Sequence, residues 1–336
     1  MFVVRYRKAW FALSAILIAL SAYAIFAYGF SLSIDFKGGS ITEVRYEGEL
    51  PSKESVETAI ETLGIGGFSV RLSENDRYII RTKELSEPER QGLLKVFSQG
   101  QSAFTIERQN TIGPTAGSEL KSKAIKAITV VVLMIVLFIT FAFRKVSSAG
   151  LPRGTRGVSS WKYGLATIVA LAHDVIIPTG VFVFLGHFMG VEIDLLFITG
   201  LLAILGYSVH DTIVVFDRVR ENLRVNAEKN VDEDFEMTVG KSVQQTFGRS
   251  INTSLTIFIT LLALYLVGSP ATEDFALLLI IGIIIGTYSS IFVASPLLVT
   301  FYKLQRKNEA VRAVLETEKG PILRGDLKGL AKKIQK

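Results

Sequence analysis

The chain has 336 residues, 49% of them hydrophobic, and a mean hydropathy of +0.40. Its formal charge is +6, but Lys and Arg gather beside the ends of long apolar blocks, where they set membrane orientation, and no nucleic-acid motif accompanies them. The chain has no cysteine, which excludes disulfides, Cys-ligated zinc and thiol catalysis.

Six apolar blocks are long enough to cross a bilayer, which takes about 20 residues in a helix. They predict a membrane α-helical bundle with spans at 9–30, 125–143, 163–188, 193–216, 251–267 and 275–301. Basic residues flank one set of ends: Arg5, Arg7 and Lys8; Arg144, Lys145, Arg153, Arg156 and Lys162; Arg218, Arg220, Arg224, Lys229 and Lys241; and the tail from Lys303. The turns at 186–194 and 268–274 carry only the acidic residues Glu192, Asp194, Glu273 and Asp274. The asymmetry predicts cytoplasmic termini and an external segment between the first two spans. It divides the chain into 1–30 (cytoplasmic N-terminus and first span), 31–118 (external domain), 119–302 (spans two to six with cytoplasmic loops) and 303–336 (basic cytoplasmic tail).

Ala22-Tyr23-Ala24 has the look of a signal-peptide cleavage site, but apolar residues continue past it to Phe30, so the segment reads as a retained span. Outside follow Asp35-Phe36-Lys37-Gly38-Gly39, where paired glycines suit a sharp turn or a close chain approach. Then Ile41 to Gln109 reads β, α, β, β, α, β: strands at 41–46, 68–72, 77–82 and 103–109, and helices at 52–63, N-capped by Ser52, and 86–97. That order is a ferredoxin-like α+β unit, whose exposed sheet face suits docking better than catalysis. Gly113-Pro114-Thr115-Ala116-Gly117 reads as a hinge or a rigid corner leading into the second span.

Polar residues interrupt the later spans. His173-Asp174 lies midway along the third, and His210-Asp211 lies in the fourth before its apolar run ends at Phe216. An Asp at the centre of a membrane helix costs roughly 3 kcal/mol, so each is a functional candidate that should face the bundle interior. Residues 231–247, with Phe235, Val239, Val243 and Phe247 four apart, read as an amphipathic cytoplasmic element on the membrane surface. Gly240-Lys241-Ser242 ends like a phosphate-binding loop, but Phe235 stands at the first glycine position, so no such loop forms. In the fifth span Arg249, Asn252 and Thr256 share a helix face, and Arg249 either reaches Asp211 on the antiparallel fourth span or snorkels to lipid headgroups. Gly282 and Gly286 in the sixth span have the small-xxx-small spacing of close helix packing. The 328–336 stretch of the tail suits anionic lipid.

A buried carboxylate beside a guanidinium can exchange protons as its surroundings rearrange, since burial favours the neutral form and the cation the charged one. No nucleophile–base pair or metal-ligand cluster stands out, which speaks against an enzyme and calls for no cofactor. The motifs Ile34-Asp35-Phe36-Lys37-Gly38-Gly39, Gly113 to Gly117, His173-Asp174-Val175, Asp211 to Asn222, Arg249-Ser250-Ile251-Asn252-Thr253-Ser254 and Gly286 to Phe292 together resemble those of the SecF family, in the family's order. The resemblance implies a six-span half of a twelve-span, RND-like assembly in the bacterial inner membrane. A SecD-like subunit completes it, and it works with the SecYEG channel and unfolded preprotein. It also implies proton-coupling roles for Asp211 and Arg249, with Asp174 as a further motif aspartate. His210 stands where the family usually has Asn, and the basic 144–162 loop is a second departure. The competing reading is an RND-type half-transporter exporting a lipid or small molecule.

Overall fold

The computed structural model describes residues 2–48, 50–73, 77–98, 103–142 and 160–308. The 144–159 part of the basic loop and the tail beyond 308 lie outside the described residues. In chain order the helices are α1 (Phe2–Arg5), α2 (Arg7–Tyr28), α3 (Ile34–Lys37), α4 (Lys53–Thr62), α5 (Glu87–Ser98), α6 (Pro114–Ala142), α7 (Ser160–Met189), α8 (Leu195–Glu228), α9 (Phe235–Val267) and α10 (Pro270–Ser289). A π turn, Ser290–Ala294, follows α10 and runs into a last helix at 295–308. Strands β1 (Gly39–Glu47), β2 (Ser69–Ser73), β3 (Arg77–Thr82) and β4 (Ala103–Ile112) lie between α3 and α6. Six helical segments are long and apolar enough to cross a membrane: α2, α6, α7, α8, α9 and the run from α10 through 308.

The four strands form one antiparallel sheet in the order β2-β3-β1-β4, the order of a ferredoxin-like unit. Period-two alternation sorts its faces. Val44, Tyr46, Val70, Tyr78 and Ile80 point to one side, where Val56 and Ile60 of α4 and Leu93 and Phe97 of α5 close the core. Ser52 caps α4 by accepting from Ser55 N at 3.2 Å. The opposite face is polar, and it docks on the membrane helices. Arg71 donates to the Gly190 carbonyl at 2.7 Å, and Arg81 pairs with Glu192 at 2.9 Å, both between α7 and α8.

One local reading needs correction. Residues 235–247 are the first turns of α9, continuous with the fifth span, and do not lie on the membrane surface. Phe235, Val239 and Val243 pack inward against Val219 and Leu223 of α8 and Tyr302, with Phe235 stacked on Tyr302 at 4.5 Å; the exposed Phe247 falls off this face. The four-residue spacing is therefore the seam of a helical hairpin. At 113–117, where the sequence allows a hinge or a rigid corner, the chain makes a tight corner. β4 ends at Ile112 and α6 starts at Pro114, a residue that suits a first helical turn because it lacks an N–H.

That corner explains the glycine motifs. Gly38 and Gly39 have φ of 77° and 135°, conformations L side chains avoid. A Cβ on Gly38 would lie 2.8 Å from Pro114 Cα, one on Gly39 2.5 Å from the Thr82 carbonyl oxygen, and one on Gly117 2.9 Å from Gly38 N. The two motifs are two sides of one backbone contact, which clamps the start of the sheet onto the start of α6. Nothing lies so close to Gly113, whose Cβ would only meet the end of Glu84.

Candidate functional site

Two carboxylates lie inside the bundle. Asp211 on α8 is 7% exposed. Ser250 of α9 donates to its Oδ1 at 2.6 Å, and Ser290 of the π turn donates to its Oδ2. Asp174 on α7 is fully buried. It receives Ser208 of α8, Ser289 of α10 at 2.7 Å, and His173 Nδ1 at 2.9 Å. An ionised carboxylate in a dry interior is tolerated only when its lone pairs are occupied by donors. Here the donors are neutral hydroxyls and one imidazole.

Helix geometry accounts for the arrangement. Ser208 and Asp211 are three apart on α8 and share a face, so one helix offers a hydroxyl to Asp174 and a carboxylate to α9 and α10. Small residues let α10 approach: a Cβ on Gly282 would strike Ile204 at 2.1 Å, and one on Gly286 would lie 3.2 Å from Ser208 Cβ. Close approach at Gly286 carries Ser289 and Ser290 to the carboxylates. Below them Tyr207 Oη lies 2.6 Å from Ser254 Oγ, which lies 2.6 Å from Thr287 Oγ1.

The guanidinium expected at Asp211 is elsewhere. Arg249 is exposed on the lateral face of α9 and has no hydrogen bond or ion pair among the described residues; its neighbour Ser250 meets Asp211 instead. Asn252, Thr253 and Thr256 are also exposed, so the polar stripe of the fifth span looks out of this chain. His210 is exposed too, and points away from the carboxylate next to it in sequence. Asp35 sits outside the bundle, where its carboxylate accepts from Leu195 N at the start of α8. Ser208, Ser250, Ser289 and Ser290 were missed as functional residues because serine is common on membrane helices. The available signal was their spacing from Asp211 and Gly286. Among the described residues no cluster of three His, Asp or Glu side chains could hold a metal.

Family models match the described motifs in the same places. Protein export membrane protein SecD/SecF, C-terminal, matches residues 93–151 and 158–304, and the SecD/SecF GG motif matches residues 23–49. The protein translocase subunit SecF of Thermobaculum terrenum is 36% identical over 323 residues, covering 91% of this chain and 97% of that one. The chain belongs to the SecD/SecF family of protein export membrane proteins. SecF of Anaerolinea thermophila is 35% identical over 308 residues, covering 90% of this chain and 94% of its own length. Protein translocase subunit SecDF of Thermus thermophilus is 34% identical over 309 residues, and this chain spans 38% of it. A crystal structure of SecDF from that organism superposes with a TM-score of 0.74 at 32% identity over 89% of this chain. The fold is thus the SecD/SecF RND-like one. The similarity to a fused SecDF supports a SecD-like half as the complement of this chain.

Proposed function

We propose that this translocase subunit couples proton movement across the bacterial cytoplasmic membrane to the outward movement of preprotein. It would act with a SecD-like subunit beside a SecYEG channel, with both termini cytoplasmic and residues 31–118 outside. The observation that carries the reading is Asp211: an acidic group inside a membrane span, held by two hydroxyls and, among the described residues, by no cation. A structural carboxylate is normally neutralised by a fixed countercharge. One held by hydroxyls can gain or lose a proton without breaking an ion pair, because a hydroxyl can donate to the charged form and accept from the neutral one.

The unpartnered lateral stripe supports a second subunit. Arg249, Asn252, Thr253 and Thr256 would face lipid in an isolated chain, at a cost that a polar surface on a neighbouring bundle removes. In that assembly Arg249 would meet a carboxylate or other acceptor of the other half. The external domain, resting on the membrane helices through Arg71 and Arg81, would carry conformational change to the preprotein.

Asp211→Asn keeps the shape and hydrogen-bonding capacity of the side chain and removes its charge. Proton-dependent export should be lost in cells carrying this variant in place of the native chain, while membrane insertion and co-purification of the SecD-like subunit persist. Unchanged secretion would defeat the reading. Reporter fusions after Asn110 should be active outside and those after Asn226 inside, and the reverse pattern would overturn the orientation.

A further inference from the structure

Ser289 and Ser290 are adjacent in sequence, yet each serves a different carboxylate on a different helix: Ser289 donates to Asp174 on α7 and Ser290 to Asp211 on α8. The switch from α-helix to π turn lies between them, at Ser290–Ala294. A π turn inserts an extra residue into the helix and re-aims the side chains at its edge, and such turns recur at functional sites. Ser295 Oγ donates to the Ser290 carbonyl at 3.0 Å, which satisfies a backbone group at the start of the π turn.

Each of these hydroxyls has two acceptors within reach and one hydrogen to give. Ser289 Oγ lies 3.1 Å from the Gly286 carbonyl, and Ser290 Oγ lies 3.0 Å from the Thr287 carbonyl. When the carboxylate is ionised, the hydroxyl donates to it. When the carboxyl is protonated, its own O–H donates to the serine oxygen and the serine hydrogen turns to the carbonyl one helical turn back. No heavy atom has to leave its place in either state. On α8, Ser208 also donates to Asp174, three residues before Asp211.

The second carboxylate brings a base. His173 is 1% exposed, its Nδ1 faces Asp174, and its Nε2 is buried with no partner among the described residues. Its ring lies against that of Tyr288, 5.8 Å between centroids at 23°, and the Tyr288 hydroxyl contacts Ser14 and the Trp10 carbonyl, each at 3.0 Å. Other titratable or charged groups on the packed elements do not face the pair: His210 of α8 and Arg249 of α9 are exposed, Tyr207 is engaged by Ser254, and α2 brings Ser14 to this level. Ionising both carboxylates with His173 neutral would place two like charges in the interior of one bundle, which their repulsion disfavours.

We propose that Ser289 and Ser290, at the α-to-π junction of the sixth span, tie the protonation of Asp211 to that of the buried His173–Asp174 pair. Ser289 and Ser290 are positioning residues in this scheme; the protons sit on the carboxylates and the imidazole. The proposal deepens the proton-coupling reading above and rests on it for its biological meaning, but the linkage itself can be measured separately.

The test uses the full chain in nanodiscs of phosphatidylethanolamine and phosphatidylglycerol, with His187 and His210 replaced by Gln so that His173 is the one histidine left of the chain's three. Its ring nitrogens are followed by 15N NMR and the two carboxyls by infrared difference spectra across a pH series. Asp211→Asn should shift the His173 ring signals and the Asp174 carboxyl band. The shift should vanish when Ser289 and Ser290 are both Ala and survive when both are Thr, which keeps the hydroxyls. If Asp211→Asn leaves the His173 signals unmoved, or if its effect persists without the two hydroxyls, the linkage is overturned. That first comparison needs no serine variant, so it stands even if the alanine pair fails to fold. A linkage that is present alongside full proton-dependent export in Asp211→Asn would sink the coupling function and leave the linkage intact.

Discussion

The carboxylate of Asp35, in the short helix before the sheet, accepts a hydrogen bond from the backbone N–H of Leu195 at 2.9 Å, and so occupies the first turn of a membrane helix 160 residues away in the chain. Asp194 caps the same turn by accepting from Phe197 N at 2.7 Å. Two acidic groups there complement the unsatisfied N–H groups and the positive end of the helix dipole. Asp35→Ala should cost about 1 kcal/mol, in the range of a lost helix cap. Asp35→Asn, which keeps an acceptor oxygen, should recover part of it. Thermal unfolding of the detergent-solubilised chain reads both, and equal losses in the two variants would mean that the charge alone matters.

The paired glycines make a sharper prediction. A methyl group on Gly39 would sit 2.5 Å from the Thr82 carbonyl oxygen, a backbone atom that cannot swing away, at a φ of 135°. Gly39→Ala should destabilise the sheet domain by about 2 kcal/mol or more, since backbone strain of this kind runs to about 1–3 kcal/mol before the clash is added. Gly66, in the same domain, has open space around its Cβ direction and no positive φ. Gly66→Ala should be neutral within about 0.5 kcal/mol. Limited proteolysis of the two variants side by side separates a strained corner from a general intolerance of alanine.

Arg249 tests whether the outward-facing stripe belongs to an interface. It is exposed and unpaired among the described residues, so Arg249→Ala should leave the thermal stability of the isolated chain within about 0.5 kcal/mol of the parent. Co-purification with the SecD-like subunit, or export in cells, should fall sharply. A variant that loses stability alone but keeps export would place the arginine in a structural role.

How much of this was legible beforehand depended on the range of the interaction. Six apolar blocks and a β, α, β, β, α, β pattern are local signals, and they gave the bundle and the sheet order; the Ser52 cap and the 77–82 strand fall where the pattern puts them. The extent of α9 was not legible, because an amphipathic stretch looks alike whether it packs on lipid or on the helices beside it. At the site, the cost of burying charge singled out Asp174 and Asp211 from composition alone. Their partners were not legible. Sequence proximity on antiparallel spans suggested Arg249 for Asp211, whereas the rotation of α9 that turns Ser250 inward and Arg249 outward is set by packing against α8 and α10.

The junction of the sheet domain with the membrane helices should respond to pH through Glu192. Burial pushes its carboxyl above the usual range, although Arg81, Lys37 and Arg71 pull it down; burial pushes Asp194 the same way. A group whose folded pKa is raised holds its proton more tightly in the folded state, so its stabilisation is complete below the ordinary carboxylate value of about 4.3 and is lost as pH rises through the raised value. Stability of the docked domain should therefore decline across that window. Glu87 and Glu89 act in the opposite direction but lower down. Hydrogen bonds from Arg90 and from Ser86, respectively, hold each at about 2, so their contribution is lost only as pH falls below the ordinary range. Glu192→Gln removes the titrating group and stands in for the protonated carboxyl, so it should match the parent most closely at low pH and flatten the slope above a pH of about 4.3, with Asp194 supplying what slope remains. Unfolding midpoints of both proteins at a series of pH values decide it: parallel curves would mean that Glu192 keeps its charge in the docked state throughout, and that the ion pair with Arg81 outweighs burial.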